Sequence, residues 1–162
     1  MYQKDAIASL RGLRKSLRPG ALVVFQEQDA TLTPASLTRL PLHETAYGWV
    51  RKCVDREGAD MSIGFKLHAH FSAAGLRVAN VRAECVLQTV DSGYLIVDIL
   101  RVMTPRIVAQ GVATPEEMDL PTLERRLADE RRAANATLLS DMVFGIAARV
   151  PGTPITGKVR AN

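Results

Sequence analysis

Two carboxylates, Glu27 and Asp29, close a run of β-forming apolar residues, Ala21-Leu22-Val23-Val24-Phe25. Acids at the carboxyl end of a strand stand where open α/β sheets bind their ligands, and there they orient a polar molecule or take a proton from it. The competing reading of Asp29 is the ordinary one of an aspartate capping a turn. His43 adds a group whose unperturbed pKa, about 6.5, suits acid–base work, against a plain role as a solvated residue at a helix start. Tyr47, Trp49 and Arg51 follow closely. Trp49 can stack on a flat molecule or anchor a core, and a guanidinium such as that of Arg51 pairs with an anion. His68 and His70 are two residues apart, which sets them about 200° apart around a helix and on different faces. Zinc-binding helical pairs are spaced i, i+4, and no Cys or carboxylate stands at supporting spacing, so no metal site is expected. Cys53 and Cys85 lack CxxC or CxxH spacing and lie among apolar residues. They read as buried free thiols in a reducing cytoplasm.

The elements that must position these groups are legible from periodicity. Ile7, Leu10, Leu13 and Leu17 form one helical stripe over residues 6–17, with Asp5 as the N-cap. The helix stops at Arg18-Pro19-Gly20, and the run that follows predicts a strand buried on both faces, as in a parallel sheet with helices above and below. Residues 44–54 and 61–74 read as helices, and 76–90 as an extended segment beginning after Gly75. Residues 94–103 and 105–110 read as two apolar helical pieces. Pro115-Glu116-Glu117 opens a turn, Asp119 caps a charged helix over 121–136, and 141–150 form a last strand. The expected organisation is one α/β domain over residues 1–150, with a helical insertion at about 91–137 and a loose tail at 151–162.

Composition narrows the classes. The chain has 162 residues, 47% hydrophobic and 23% charged, with only eleven glycines and eight prolines, which excludes collagen-like and disordered chains. The longest apolar run is far shorter than a membrane span, and the first residues carry no apolar signal core. The net charge of +4 does not mark a nucleic-acid surface, because the bases alternate with acids, as in ERRLADERR, and aromatic residues are only 5%.

Several strings taken together resemble one family. LRKSLRPGALVVFQEQD is similar to the stretch of class I S-adenosylmethionine-dependent methyltransferases that runs from the helix after strand four through "L-R-P-G-G" into strand five, with Ala21 in place of the second glycine. IGFKLHAHFSAAGLRVANV resembles the helix "G-x-x-L-x-x-x-L-x-x-A-G-[LF]" leading into strand six, on Gly64, Leu67, Phe71, Ala74, Gly75 and Leu76. DLPTLERRLADE resembles the helix between strands six and seven of a bacterial subgroup, and DMVFGIAARVP resembles strand seven.

The resemblance implies a partial Rossmann-like sheet with strands in the order 5-7-6, methyl transfer to a small-molecule acceptor, S-adenosylmethionine as cofactor and no metal. It places Glu27 and Asp29 beside the transfer pocket, with His43 as a further acid or base. Tyr47, Trp49 and Arg51 fall on the helix lining the acceptor pocket. Tyr2 and Gln3 fall where related enzymes touch the cofactor. The apolar stretch from Tyr94, with Met103, becomes either a lid over the acceptor or an association surface.

The family's Gly-rich loop after strand one and the acid ending strand two have no counterpart here, so the chain resembles the C-terminal half of such an enzyme. A half-sheet leaves a hydrophobic strand edge open. The expected consequences are a homodimer or a covering partner, and, as the alternative function, a catalytically inactive dimerisation or binding module.

Overall fold

The structure, a computed structural model, describes residues 4–92 and 94–152. Tyr2, Gln3 and the tail from residue 153 onward lie outside the described residues. The first helix, α1 (Ala6–Lys15), starts where the Asp5 carboxylate accepts the Ala8 amide at 2.8 Å. That is the expected cap, and it satisfies one of the free amides of the first turn. After Pro19 the chain turns at Gly20 and enters β1 (Leu22–Asp29). Two helices follow, α2 (Pro41–Arg56) and α3 (Ile63–Ala73), then β2 (Arg77–Gln88). Three more helices, α4 (Leu95–Ala109), the single turn α5 (Pro115–Met118) and α6 (Leu120–Ala133), precede the last strand, β3 (Leu138–Arg149).

The fold is mixed α/β around a three-stranded sheet in the order β1-β3-β2, and both pairings are antiparallel. The two outer strands therefore run in the same direction, with β3 returning between them. One face of the sheet is covered by α1 and α3. Leu10, Leu67 and Phe71 meet Val23, Ile146 and Ala148 there in a closed apolar cluster. Gly64 sets the closeness of that packing, since a Cβ at its position would lie 2.5 Å from the Phe144 ring and 2.9 Å from Asp29 Cβ.

The expectation of a strand buried on both faces, as in a parallel sheet, is corrected. Side chains alternate along a strand, and the outward set has no covering layer. Val24 is 62% exposed and Leu22 56%. The expectation of two buried thiols is corrected in part: Cys85, on the edge strand β2, is exposed, whereas Cys53 is buried.

A second core lies among the helices. Cys53 on α2, Val97, Leu100 and Ile107 on α4, and Leu123 and Leu127 on α6 are fully buried together. This packing explains why 94–103 and 105–110 form one helix rather than two. Pro105 lies inside α4, and an interior proline costs about 3 kcal/mol. Burial of Leu100, Met103 and Ile107 on the adjoining turns contributes about 1.5–3 kcal/mol each, which outweighs that cost. The same burial accounts for the apolar character of the stretch, leaving Leu95 and Val102 facing outward.

Two local expectations also change. The segment at Pro115 is a helical turn closed by a capping box, in which the Glu117 amide donates to Thr114 Oγ1 at 3.2 Å and the Thr114 amide to Glu117 Oε2 at 2.7 Å. Asp119 does not cap α6 through its side chain. It sits at φ 41°, and its carboxylate accepts from the Thr122 hydroxyl and pairs with Arg126 at 3.7 Å. Among the described residues no helix is long and apolar enough to cross a membrane.

Candidate functional site

The carboxyl end of β1 and the start of β3 meet helices α2 and α4, and a cavity of about 210 Å³ lies at that junction. Its polar lining is Gln28, Thr33, Tyr47, Arg51 and Asp141; its apolar wall comes from α2, α4 and Met61, including Val50, Ile96 and Met103. Of the residues expected from the sequence, Tyr47, Arg51 and Met103 are brought together here. Tyr47 and Arg51 are four residues apart and so share a face of α2.

Trp49 is not in the cavity. Only 9% exposed, it belongs to the helical core, the anchoring role that was its alternative. Glu27 lines a different groove of about 280 Å³ between α1 and α3, beside Phe25 and His70. Asp29 is fully buried at the end of β1 and accepts from the Thr31 amide at 3.0 Å and from the Thr31 hydroxyl, as a turn-capping aspartate does. Its other oxygen, Oδ2, has no hydrogen-bond partner.

His43 is neither solvated nor part of the cavity lining. It is fully buried, with Nδ1 2.7 Å from Glu130 Oε2 and its ring 5.7 Å from that of Tyr94. Burial lowers its pKa below the ordinary value, outweighing the attraction of Glu130. His68 is exposed and His70 half-buried on α3. Among the described residues no group of three or more His, Cys, Asp or Glu could hold a metal ion.

The residue that sequence reasoning passed over is Asp141, read only as the first residue of the last strand. Its Oδ1 accepts from the Gln28 amide nitrogen across the β1–β3 pair. Burial raises its pKa, while the hydrogen bonds from Gln28 and Ser140 pull the other way. The Tyr47 phenol is pushed far above its usual range, first by burial and then by the neighbouring Asp141 charge. The available signal was an acid beside Ser140 at the mouth of an otherwise apolar strand. A carboxyl whose pKa burial raises, sharing an apolar-walled cavity with a phenol and a guanidinium, can bind a small amphipathic molecule and accept a proton from it.

The described residues do not form a cradle for an adenosine cofactor. The positive-φ glycines among those described, Gly20, Gly58, Gly75 and Gly111, all follow helices rather than strands. A cofactor phosphate or ribose is approached closely by backbone where a glycine turn leads from a strand into a helix, and no such turn is present among the described residues.

The sequence matches no protein-family model and no curated protein. Among solved structures the chain is similar to Haemonchus contortus phospholethanolamine N-methyltransferase 2 in complex with phosphomonomethylethanolamine and S-adenosylhomocysteine, at 11% identity and a TM-score of 0.42. The likeness covers 92% of this chain but 31% of that one, so the chain spans about a third of that protein's length. A similarity this slight is one of outline and assigns neither family nor activity.

Proposed function

We propose that this chain is the acceptor-binding, C-terminal half of a class I S-adenosylmethionine-dependent methyltransferase. The observation that carries the reading is the sheet. β3 runs antiparallel between β1 and β2, which run the same way, and this supports the 5-7-6 arrangement that the sequence resemblance implies. The cavity supports it from a second side, because it lies at the carboxyl end of β1, and strand carboxyl ends are where α/β sheets bind their ligands.

In this reading Asp141 replaces Glu27, Asp29 and His43 as the proton acceptor. The acceptor's proton passes to the Asp141 carboxylate while the bonding pair stays on the acceptor atom. Tyr47 and Arg51 orient the small-molecule acceptor, and Ile96 and Met103 keep water from it. The cofactor, S-adenosylmethionine, supplies the methyl group when bound. Its binding segment comes from other polypeptide, covering the exposed β1 edge and outward face around Val24.

One experiment tests this. The coding sequence in frame ahead of Met1 is read for a glycine-bearing strand-to-helix loop within about 100 residues, the size of a half-domain, and the longer chain is titrated with S-adenosylmethionine by calorimetry. Saturable binding at one site per chain is the expected result. A stop codon directly upstream, together with a stable homodimer of the 162-residue chain in sedimentation velocity, overturns it in favour of a dimerisation module built on the same open edge.

A further inference from the structure

Arg51 and Asp141 line the same small cavity without pairing to each other. Arg51 Nη1 donates to the Thr33 carbonyl at 3.2 Å, which holds the side chain in place while leaving further N–H donors of the fork unused. No carboxylate among the described residues pairs with it. Asp141 is held by Gln28 and Ser140, both neutral, and no cation is among the influences acting on its carboxyl. A cation and an anion in one partly buried space normally gain by closing on each other, since an uncompensated charge away from water is costly. Here both are tied back to neutral partners, Arg51 of α2 to the Thr33 carbonyl and Asp141 of β3 to Gln28 and Ser140, in a cavity whose apolar wall comes from α2, α4 and Met61. The space between them asks for a ligand with an anionic end, an apolar middle and a hydrogen-bond donor at the far end.

We propose that the cavity binds a compact hydroxy-carboxylate, its carboxylate paired with Arg51 and its hydroxyl donating to Asp141. A planar guanidinium fork matches a carboxylate in two parallel hydrogen bonds. At about 210 Å³ the cavity is below the usual range for drug-sized ligands and suits a single ring or a short branched chain. The neutral Gln28 beside Asp141, and the raised pKa of that carboxyl, favour a neutral hydroxyl over an ammonium as the group that meets it. The inference deepens the reading of this cavity as an acceptor site by naming the acceptor's chemistry, and it rests on that reading for the transfer step alone.

The test needs no cofactor. The 162-residue chain is titrated by calorimetry and by NMR with salicylate, 4-hydroxybenzoate and 4-hydroxyphenylacetate, which place hydroxyl and carboxylate at increasing separations. Benzoate, phenol and tyramine are the controls lacking the hydroxyl, the carboxylate, or carrying an ammonium in its place. Saturable binding of at least one hydroxy-carboxylate is expected, at least tenfold tighter than its control lacking either group. Arg51→Gln is expected to remove the preference for the carboxylate, and Asp141→Asn the preference for the hydroxyl, each with an unchanged circular dichroism spectrum. The proposal is overturned if no hydroxy-carboxylate binds at 10 mM, if tyramine binds as well, or if Arg51→Gln binds like the parent chain. Binding here with no S-adenosylmethionine binding by the longer chain leaves this proposal standing and removes the methyltransferase reading; the reverse pattern does the opposite.

Discussion

Removing the Glu130 carboxylate tests how the helical layer is seated on the site. Glu130, on α6, accepts the Leu42 amide at 2.8 Å and the His43 amide at 3.1 Å, and its Oε2 lies 2.7 Å from His43 Nδ1. α2 has no side-chain cap of its own, because its N-cap position is Leu40. The carboxylate therefore does from another helix what Ser, Thr or Asp does locally, and it also meets the positive end of the α2 dipole. Hydrogen bonds to a charged group contribute about 1.5–3 kcal/mol each, so three give an upper bound of about 4.5–9 kcal/mol. They share one carboxylate that is 20% exposed, and water can replace part of them. We expect Glu130→Ala to cost about 3–4 kcal/mol and Glu130→Gln, which keeps one acceptor oxygen, about 1–2 kcal/mol. The total stability of such a domain is about 5–15 kcal/mol, and urea slopes for small proteins are about 1–3 kcal/mol per molar, so the alanine variant should lose one or more molar units of midpoint. Equilibrium urea unfolding followed by circular dichroism reads this directly. A loss below about 1 kcal/mol for alanine, or equal losses for alanine and glutamine, would refute the reasoning.

Gly64→Ala should destabilise by about 1–2 kcal/mol in the same assay. The clash of the new methyl with the Phe144 ring and Asp29 Cβ, an overpacking cost of about 1–3 kcal/mol, exceeds the gain of up to about 1 kcal/mol from alanine's better helix propensity; a more stable variant would show that α3 rides higher on the sheet. Asp141→Asn should raise the melting temperature at neutral pH. Burial raises the folded pKa of Asp141 above its ordinary 3.8, so its contribution is present below that value and is lost as pH rises through the folded pKa. The stabilisation by asparagine should therefore vanish below about pH 4, and a pH-independent difference between the two proteins would count against a perturbed carboxyl.

What was legible in the sequence was local. The Asp5 cap, the stop at Pro19-Gly20 and the strand after it each depend on residues within one or two turns of each other. The pairing of Tyr47 with Arg51 was also within reach, since four residues is one helical turn. The same rule that separates His68 from His70 separates Trp49 from Tyr47, and so keeps Trp49 out of the cavity that Tyr47 lines. What was not legible came from distant parts of the chain. The start of α2 at Pro41 depends on Glu130, and the continuation of α4 through Pro105 depends on packing against α2 and α6. The exposure of Val24 depends on whether anything covers the outward face of the sheet, which no pattern within the strand reveals. Asp141 acquires its meaning only when β3 is laid against β1 and Gln28 reaches across to it.

The cavity lies where two separately closed cores meet. The apolar cluster under α1 and α3 fixes the sheet, and with it Gln28 and Asp141; the cluster among α2, α4 and α6 fixes Tyr47, Arg51 and Met103. Neither core requires the cavity to be filled. The distance between the acidic and the basic wall is therefore set by the junction of the two cores rather than by the packing of either. Glu130 anchors the α2 end of that junction, and α2 carries Arg51 about two turns beyond the anchored amides. A ligand spanning Arg51 and Asp141 would tie the two cores together and should stabilise the whole chain by mass action, roughly 2.7 kcal/mol at a hundredfold excess over its Kd. In Glu130→Ala the anchor is lost while both charged groups remain, so the same ligand should bind more weakly without any change at the residues it touches. That separates a site positioned across two cores from one built within either.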